Sequence, residues 1–180
     1  MAAIPKKMKA LLLTGIETFE LREIDTPEPG PGEVLAKVEA VAICGTDPKI
    51  VKGAFKGLWP KSYPAIIGHE WAGTIVKVGS ETFGFSVGDR VAGEPHKGCG
   101  YCRNCMTGRY NICENYGNLE SGHRHYGFTA PGAYANILRV QVEQFIIFPI
   151  NFLLKKPPMS IQQPQPFMGS KGEGLFLEIV

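Results

Sequence analysis

The sequence predicts a mainly β domain of the barrel-like kind, with few short helices. Short apolar runs recur along the first 145 residues, and glycines and prolines interrupt them at close intervals. Residues 45–51 are the one stretch between these runs whose pattern suggests one or two helical turns. Many short strands separated by glycine and proline turns are typical of all-β barrels.

The strand pattern can be followed in chain order. The first two runs flank Gly15 and predict a hairpin. Residues 27–32 contain three prolines, which lack a backbone N–H donor, so this segment is expected to form a loop. The expected strand segments are residues 9–14, 19–24, 33–44, 64–79, 87–93 and 132–140.

Composition excludes several classes of partner. The 180 residues carry a net charge of +2 from 19 basic and 17 acidic side chains, without a basic block that would indicate nucleic-acid binding. No apolar run reaches the roughly 18 residues of a membrane span. No secretory leader is recognised, and the thiols are expected to be reduced, so we expect a cytoplasmic protein.

Four cysteines share one short loop and predict a structural zinc. Cys99, Cys102, Cys105 and Cys113 follow the pattern C-x2-C-x2-C-x7-C among glycines that let the backbone wrap an ion. The alternative is a set of buried or disulfide-paired cysteines. Because all four ligands come from one loop, such a zinc would have no open position for chemistry.

A second set of metal-binding residue types lies outside this loop. Cys44 ends an expected strand, and His69 and Glu70 follow Gly68 in a turn. A thiolate, an imidazole and a carboxylate are competent zinc ligands, and a catalytic zinc uses three protein ligands with a fourth position for water or substrate. From residue types alone, a buried small Cys44 and a core His69 are equally plausible.

Four runs of the sequence resemble the zinc-containing alcohol dehydrogenases of the medium-chain dehydrogenase/reductase superfamily. They are AICGTD, GHEWAGTIVKVG, GFSVGDRVAGEP and GCGYCRNCMTGRYNIC, in the family's order and spacing. They cover residues 9–140, which correspond to the family's GroES-like catalytic domain. The resemblance implies a partly open GroES-like β-barrel with a zinc-binding lobe.

The resemblance also implies roles for individual residues. Cys44 and His69 would ligate the catalytic zinc, with Glu70 as a ligand or exchange partner. Asp47 would orient the histidine ring, as carboxylates beside metal sites do. Thr46 would take the proton of the alcohol, whose hydroxyl pKa zinc lowers before a hydride passes to NAD or NADP.

The proton relay departs from the family pattern. Family members often carry a histidine where this chain has Lys49, so Lys49 is only a candidate for the relay. Phe55, Trp59 and His96 could line a substrate cleft or simply pack. Arg90 and the loop pair His123 and His125 are expected to be ordinary, solvated surface residues.

We expect a folded domain over residues 1–145 and an aberrant, disordered tail over 146–180. The tail is rich in proline and glutamine and resembles nothing in the family. Permissible codons for residues 149–180, read one nucleotide earlier, can yield a stretch like the family's connection into its Rossmann domain. A frameshift near residues 146–148 is the hypothesis that follows.

The nicotinamide-binding fingerprint G-x-G-x-x-G does not occur in the sequence, so a Rossmann domain is expected to be absent. The leading function is the catalytic domain of a zinc-dependent alcohol or polyol dehydrogenase, inactive by itself for lack of a cofactor domain. The alternative is a non-enzymatic zinc-binding module. Full-length relatives are homo-oligomeric, whereas this fragment is not expected to be.

Overall fold

The computed structural model describes residues 3–147 and 175–177 of the chain. Within them the architecture is mainly β, as the sequence predicts, and its sheets do not close into a barrel. The strands are β1 Lys7–Gly15, β2 Thr18–Asp25, β3 Glu33–Ile43, β4 Glu70–Val78, β5 Arg90–Gly93, β6 His96–Lys97, β7 Arg124–His125, β8 Ile137–Gln141, β9 Phe145–Ile147 and β10 Leu175–Leu177. The helices are α1 Asp47–Val51 and α2 Arg103–Met106, with 3-10 turns at Tyr110–Ile112 and Val142–Gln144.

The first two strands form the predicted hairpin. β1 and β2 run antiparallel in a register that pairs Lys7 with Asp25 and Leu13 with Phe19. Met8 and Ala10 are buried on one face of β1 while the intervening lysines are exposed, which is the alternation of a half-buried strand. β2 remains almost wholly exposed.

A six-stranded sheet carries the core. Its strands follow the order β10-β3-β4-β5-β9, and β8 pairs with the first half of β3 while β10 pairs with its end. β3 and β4 approach closely because Gly73 lacks a side chain: a Cβ there would lie 2.1 Å from the backbone oxygen of Lys37. The buried core includes Leu13, Val38 and Ile75.

The C-terminal part of the chain contributes two short strands. β9 pairs with β5, and β10 pairs with β3. Residues 148–174 and 178–180 lie outside the described residues, so the expectation of an aberrant tail from residue 146 stays a prediction. None of the helices in the described part of the chain has the length and apolar character that crossing a membrane requires.

Candidate metal centres and the ring cluster between them

The register between β3 and β4 brings Cys44 beside His69. These antiparallel strands pair Val41 with Trp71 and Ala42 with Glu70. Cys44 follows the end of β3 and His69 precedes the start of β4, so the two residues meet where this ladder opens. The juxtaposition is therefore a consequence of sheet register, which the hydrophobic pattern of the two strands fixes.

Three ligand atoms converge at this point. The thiol of Cys44, a ring nitrogen of His69 and a carboxylate oxygen of Glu70 all lie within 4.8 Å of one another. His69 is buried, Cys44 is half-buried and Glu70 is exposed. The donor set of one sulfur, one imidazole and one carboxylate is one that zinc accepts, and its exposed side leaves room for a further ligand.

Asp47 connects Cys44 to His69. Its Oδ2 accepts a hydrogen bond of 2.8 Å from the backbone N–H of Cys44. Its Oδ1 lies 3.5 Å from Nδ1 of His69, and both of these atoms are buried without another hydrogen-bond partner among the described residues. An imidazole whose Nδ1 faces a carboxylate presents Nε2 as a ligand, and Nε2 is the atom on the side of Glu70, 4.0 Å from Oε1.

The structure also places the two candidates for proton transfer. Thr46 Oγ1 lies 3.7 Å from the sulfur of Cys44, so its hydroxyl stands next to the proposed metal position. Lys49 lies on α1 with an exposed side chain, and its backbone N–H donates to the carbonyl oxygen of Thr46. Their roles in a relay stay predictions.

The four remaining cysteines gather into one cluster. The sulfurs of Cys99 and Cys105 are 3.9 Å apart, as are those of Cys102 and Cys113. All four lie within 4.8 Å of one another. A tetrahedral zinc with Zn–S bonds of about 2.3 Å separates its sulfurs by about 3.8 Å, so the spacing fits that ion.

Hydrogen bonds favour the thiolate forms of Cys99 and Cys102, whereas burial raises the pKa values of Cys105 and Cys113. The backbone N–H groups of Cys102 and Cys105 each point to the sulfur of the preceding cysteine ligand, at 3.4 Å. Burial raises the pKa of the Cys99 thiol, but hydrogen bonds led by the side chain of Asn115 lower that pKa to about 6 overall. The thiolate is the form that binds metal.

A cluster of aromatic rings joins these two centres, and sequence reasoning missed it. His123 and His125 are 0% and 5% exposed, so the expectation that this pair is solvated is wrong. β7 is only two residues long, too short for an alternation of polar and apolar residues to reveal what it buries. The ring of His125 stacks between those of His96 and Phe128, with centroids 3.8 Å away on each side.

The cluster continues to His69, the histidine of the first candidate metal centre. The rings of Phe128 and His69 have centroids 4.5 Å apart. Trp59 meets Phe128 at 5.0 Å, and Phe55 packs on Trp59 at the same distance. The three cleft candidates Phe55, Trp59 and His96 thus belong to one ring cluster beside His69. This position fits both expectations, that they line a substrate cleft and that they simply pack.

Arg90, in contrast, has an ordinary place on the sheet. Its guanidinium, on β5, lies 3.5 Å from a carboxylate oxygen of Glu39 on β3. Both side chains are more than a third exposed, so the pair contributes little to stability.

Tyr134 supports the turn that carries His69. Gly68 has a φ of +91°, and a Cβ at Gly68 would lie 2.5 Å from the Tyr134 ring. Burial raises the pKa of the Tyr134 hydroxyl, and the neighbouring Asp47 carboxylate raises it further. The glycine before His69 is therefore required both by its backbone conformation and by the ring packed against it.

Both candidate metal centres lie in a part of the chain that matches a known protein family. The sequence profile described as "Alcohol dehydrogenase GroES-like domain" matches residues 30–150, which is more than half of the chain. The chain belongs to this family. Cys44, His69 and the four-cysteine loop all lie within the matched part of this GroES-like chain.

Curated relatives of this GroES-like chain include two bacterial enzymes named L-threonine 3-dehydrogenase. The one from Deinococcus radiodurans is 39% identical over 116 residues, which cover 64% of this chain and 31% of the relative. The one from Pectobacterium carotovorum is 37% identical over 145 residues, or 80% of this chain and 40% of the relative. The chain thus spans well under half the length of these relatives.

Solved structures show the same similarity for the GroES-like chain. The acetophenone reductase of Geotrichum candidum in complex with NAD superposes with a TM-score of 0.72 at 31% identity, covering 83% of this chain and 42% of that one. A cobalt- and zinc-bound thermostable alcohol dehydrogenase from Pyrobaculum aerophilum gives 0.66 at 33% identity, covering 78% and 41%.

Proposed function

We propose that this chain is the catalytic domain of a zinc-dependent dehydrogenase that oxidises a small alcohol by hydride transfer to NAD or NADP. The observation that carries the proposal is the convergence of Cys44, His69 and Glu70 within 4.8 Å, beside the carboxylate of Asp47. When bound there, zinc supplies a Lewis acid that lowers the pKa of an alcohol hydroxyl.

The residues around that position have distinct tasks in the proposal. Cys44 and His69 hold the metal, and Glu70 binds it or exchanges with the substrate. Asp47 fixes the ring of His69 and the backbone of Cys44 in one orientation. Thr46, next to the sulfur of Cys44, accepts the proton of the alcohol while its hydroxyl releases its own proton. Lys49 is the candidate that passes the released proton to solvent.

The four-cysteine lobe holds a second, structural zinc in this proposal. The relatives named L-threonine 3-dehydrogenase make L-threonine the first substrate to test, ahead of simple alcohols and polyols. The nicotinamide cofactor is proposed to bind outside these 180 residues, because the sequence lacks the phosphate-binding glycine pattern. We also propose a cytoplasmic location, supported by five cysteines that form no disulfide.

Metal content separates this function from that of a zinc-binding module. Mass spectrometry of the purified chain is expected to find two zincs per chain in the wild type and one in Cys44→Ser. Cobalt substituted at the Cys44 site is expected to change its visible spectrum when imidazole is added, since a catalytic position stays open. A wild-type chain with one zinc, unchanged by Cys44→Ser, would favour the module.

A further inference from the structure

We propose that Tyr116 is a positioning residue that couples the four-cysteine lobe to the ring of His69. The inference rests on the proposed function in one respect, because it takes His69 to be a metal ligand. The path consists of direct contacts between neighbouring side chains, from the lobe sulfurs through Asn115, Tyr116, His125 and Phe128 to His69.

The path begins at the lobe, where Asn115 binds two of the four sulfurs. Its backbone N–H donates to the sulfur of Cys113 at 3.4 Å, and its side-chain amide donates to the sulfur of Cys99 at 3.3 Å. The position of Asn115 therefore depends on the closed arrangement of Cys99 and Cys113, which a bound metal imposes.

Tyr116 extends this constraint from the lobe into the ring cluster. Its hydroxyl forms a hydrogen bond with Nδ1 of His125. The next residue, Gly117, donates its backbone N–H to Nδ1 of the buried His123 at 3.0 Å. Two successive residues thus anchor the lobe to two buried imidazoles, and each hydrogen bond fixes the rotation of one ring.

The last steps lie within the ring cluster. His125 has one face against His96, its partner in the β6–β7 ladder, and the other against Phe128. Phe128 then packs on His69. Because His125 and Phe128 are stacked and buried, a rotation of His125 displaces Phe128 and, through it, the ring that faces Asp47. Groups that orient a ligating histidine typically affect metal affinity by 10- to 100-fold.

Cobalt binding tests the coupling apart from catalysis. The 180-residue chain is loaded with one equivalent of zinc for the lobe, and Co²⁺ is then titrated while the cobalt–thiolate absorption is followed. Cys44→Ser identifies the signal of the Cys44 site by abolishing it. Tyr116→Phe is expected to weaken Co²⁺ binding at this site roughly tenfold while the lobe keeps its zinc.

Tyr110→Phe is the matched control. It removes a hydroxyl from the same lobe, but that hydroxyl donates to Glu94 at 2.7 Å and takes no part in the ring cluster. We expect wild-type cobalt affinity for Tyr110→Phe. His125→Phe, which keeps an aromatic ring and deletes Nδ1, is expected to match Tyr116→Phe, as is Asn115→Ala at the lobe end of the path.

Double variants distinguish a path from independent effects. Both substitutions interrupt one chain of contacts. The double variant Asn115→Ala/Tyr116→Phe is therefore expected to lose no more cobalt affinity than the single variant with the larger loss. Additive losses, or wild-type affinity in Tyr116→Phe, would overturn the coupling. Absence of any cobalt signal that depends on Cys44 would instead contradict the proposed function.

Discussion

Asp47 shows how one buried side chain serves two elements. Its carboxylate accepts the N–H of Cys44 at the end of β3 and faces His69 at the start of β4, although it belongs to α1. It is 2% exposed. A carboxylate buried to this extent is costly unless hydrogen-bond donors or positive charge surround it. The backbone N–H of Cys44 is one such donor, and His69 would supply positive charge as a ligand of the proposed zinc.

Replacing Asp47 tests this role. Asp47→Asn keeps the shape of the side chain but removes the charge that faces His69, so zinc affinity at the Cys44 site is expected to fall roughly 10- to 100-fold. The measurement is competition with a chromophoric chelator. Asp89→Asn is the control, since its carboxylate only accepts a backbone N–H in an exposed turn. Equal zinc affinity in both variants would contradict the role.

At this scale, the sequence predicts best what is local. The spacing of Cys99, Cys102, Cys105 and Cys113 suffices to predict the lobe because all four lie on one loop. Residue types alone made Cys44 and His69 candidate ligands but left a core role equally plausible. The family resemblance decided between the two, since nothing local relates these residues. The ring stack of His125 and Phe128 gave no periodic signal, although the run HRHYGF holds four aromatic or imidazole rings in six residues.

The ladder between β3 and β4 is the element on which the first metal centre depends. Gly73 lets the two backbones approach, and a Cβ at this position would clash with the carbonyl oxygen of Lys37. Unlike a clash with a flexible side chain, this one can be relieved only by moving a strand. The separation of Cys44 and His69 follows directly from the pairing that this glycine permits.

Gly73→Ala is expected to lower the free energy of unfolding by on the order of 1–3 kcal/mol, the usual cost of overpacking a core. Urea unfolding followed by circular dichroism measures the change. Gly45→Ala is the matched control, because a Cβ at Gly45 would meet nothing within 4 Å. If both variants were as stable as the wild type, the close approach would have no energetic role.

Most of the elements could be predicted from the sequence. The hairpin, β3, β5 and the short helix follow the expected segments to within three residues, whereas β8 begins five residues later than expected, at Ile137. The expected strand at residues 64–79 begins only at Glu70, because residues 64–69 form the irregular turn that presents His69. The two-residue strands β6 and β7 were not predicted, since pairing between such short segments is decided by the surrounding fold.

Across the whole molecule, buried histidines make stability depend on pH. Burial, with a smaller contribution from the nearby His96, lowers the pKa of His125 to about 3 and that of His123 to about 4. The unfolded chain takes up these protons near pH 6.5. The folded state thus binds fewer protons, so stability is highest above pH 6.5 and falls as the pH drops towards 4.

Thermal unfolding of the zinc-loaded chain from pH 7.5 to 4.5 measures this dependence. His125→Phe removes one of the two groups and is expected to show a shallower fall in melting temperature. Both chains carry Cys44→Ser, so that neither depends on zinc at the Cys44 site, and protonation of the lobe thiolates contributes equally to both. The difference between their slopes therefore isolates His125. Parallel slopes would indicate that His125 is protonated in the folded chain.

The two metal centres differ in how far apart their ligands lie along the chain, and this difference sets an order of assembly. The lobe ligands share one loop, so closing it costs little conformational entropy. Cys44 and His69 meet only after β3 and β4 have paired, a slower, non-local event. A nascent or refolding chain therefore captures its first ion in the lobe, before the site proposed for catalysis exists.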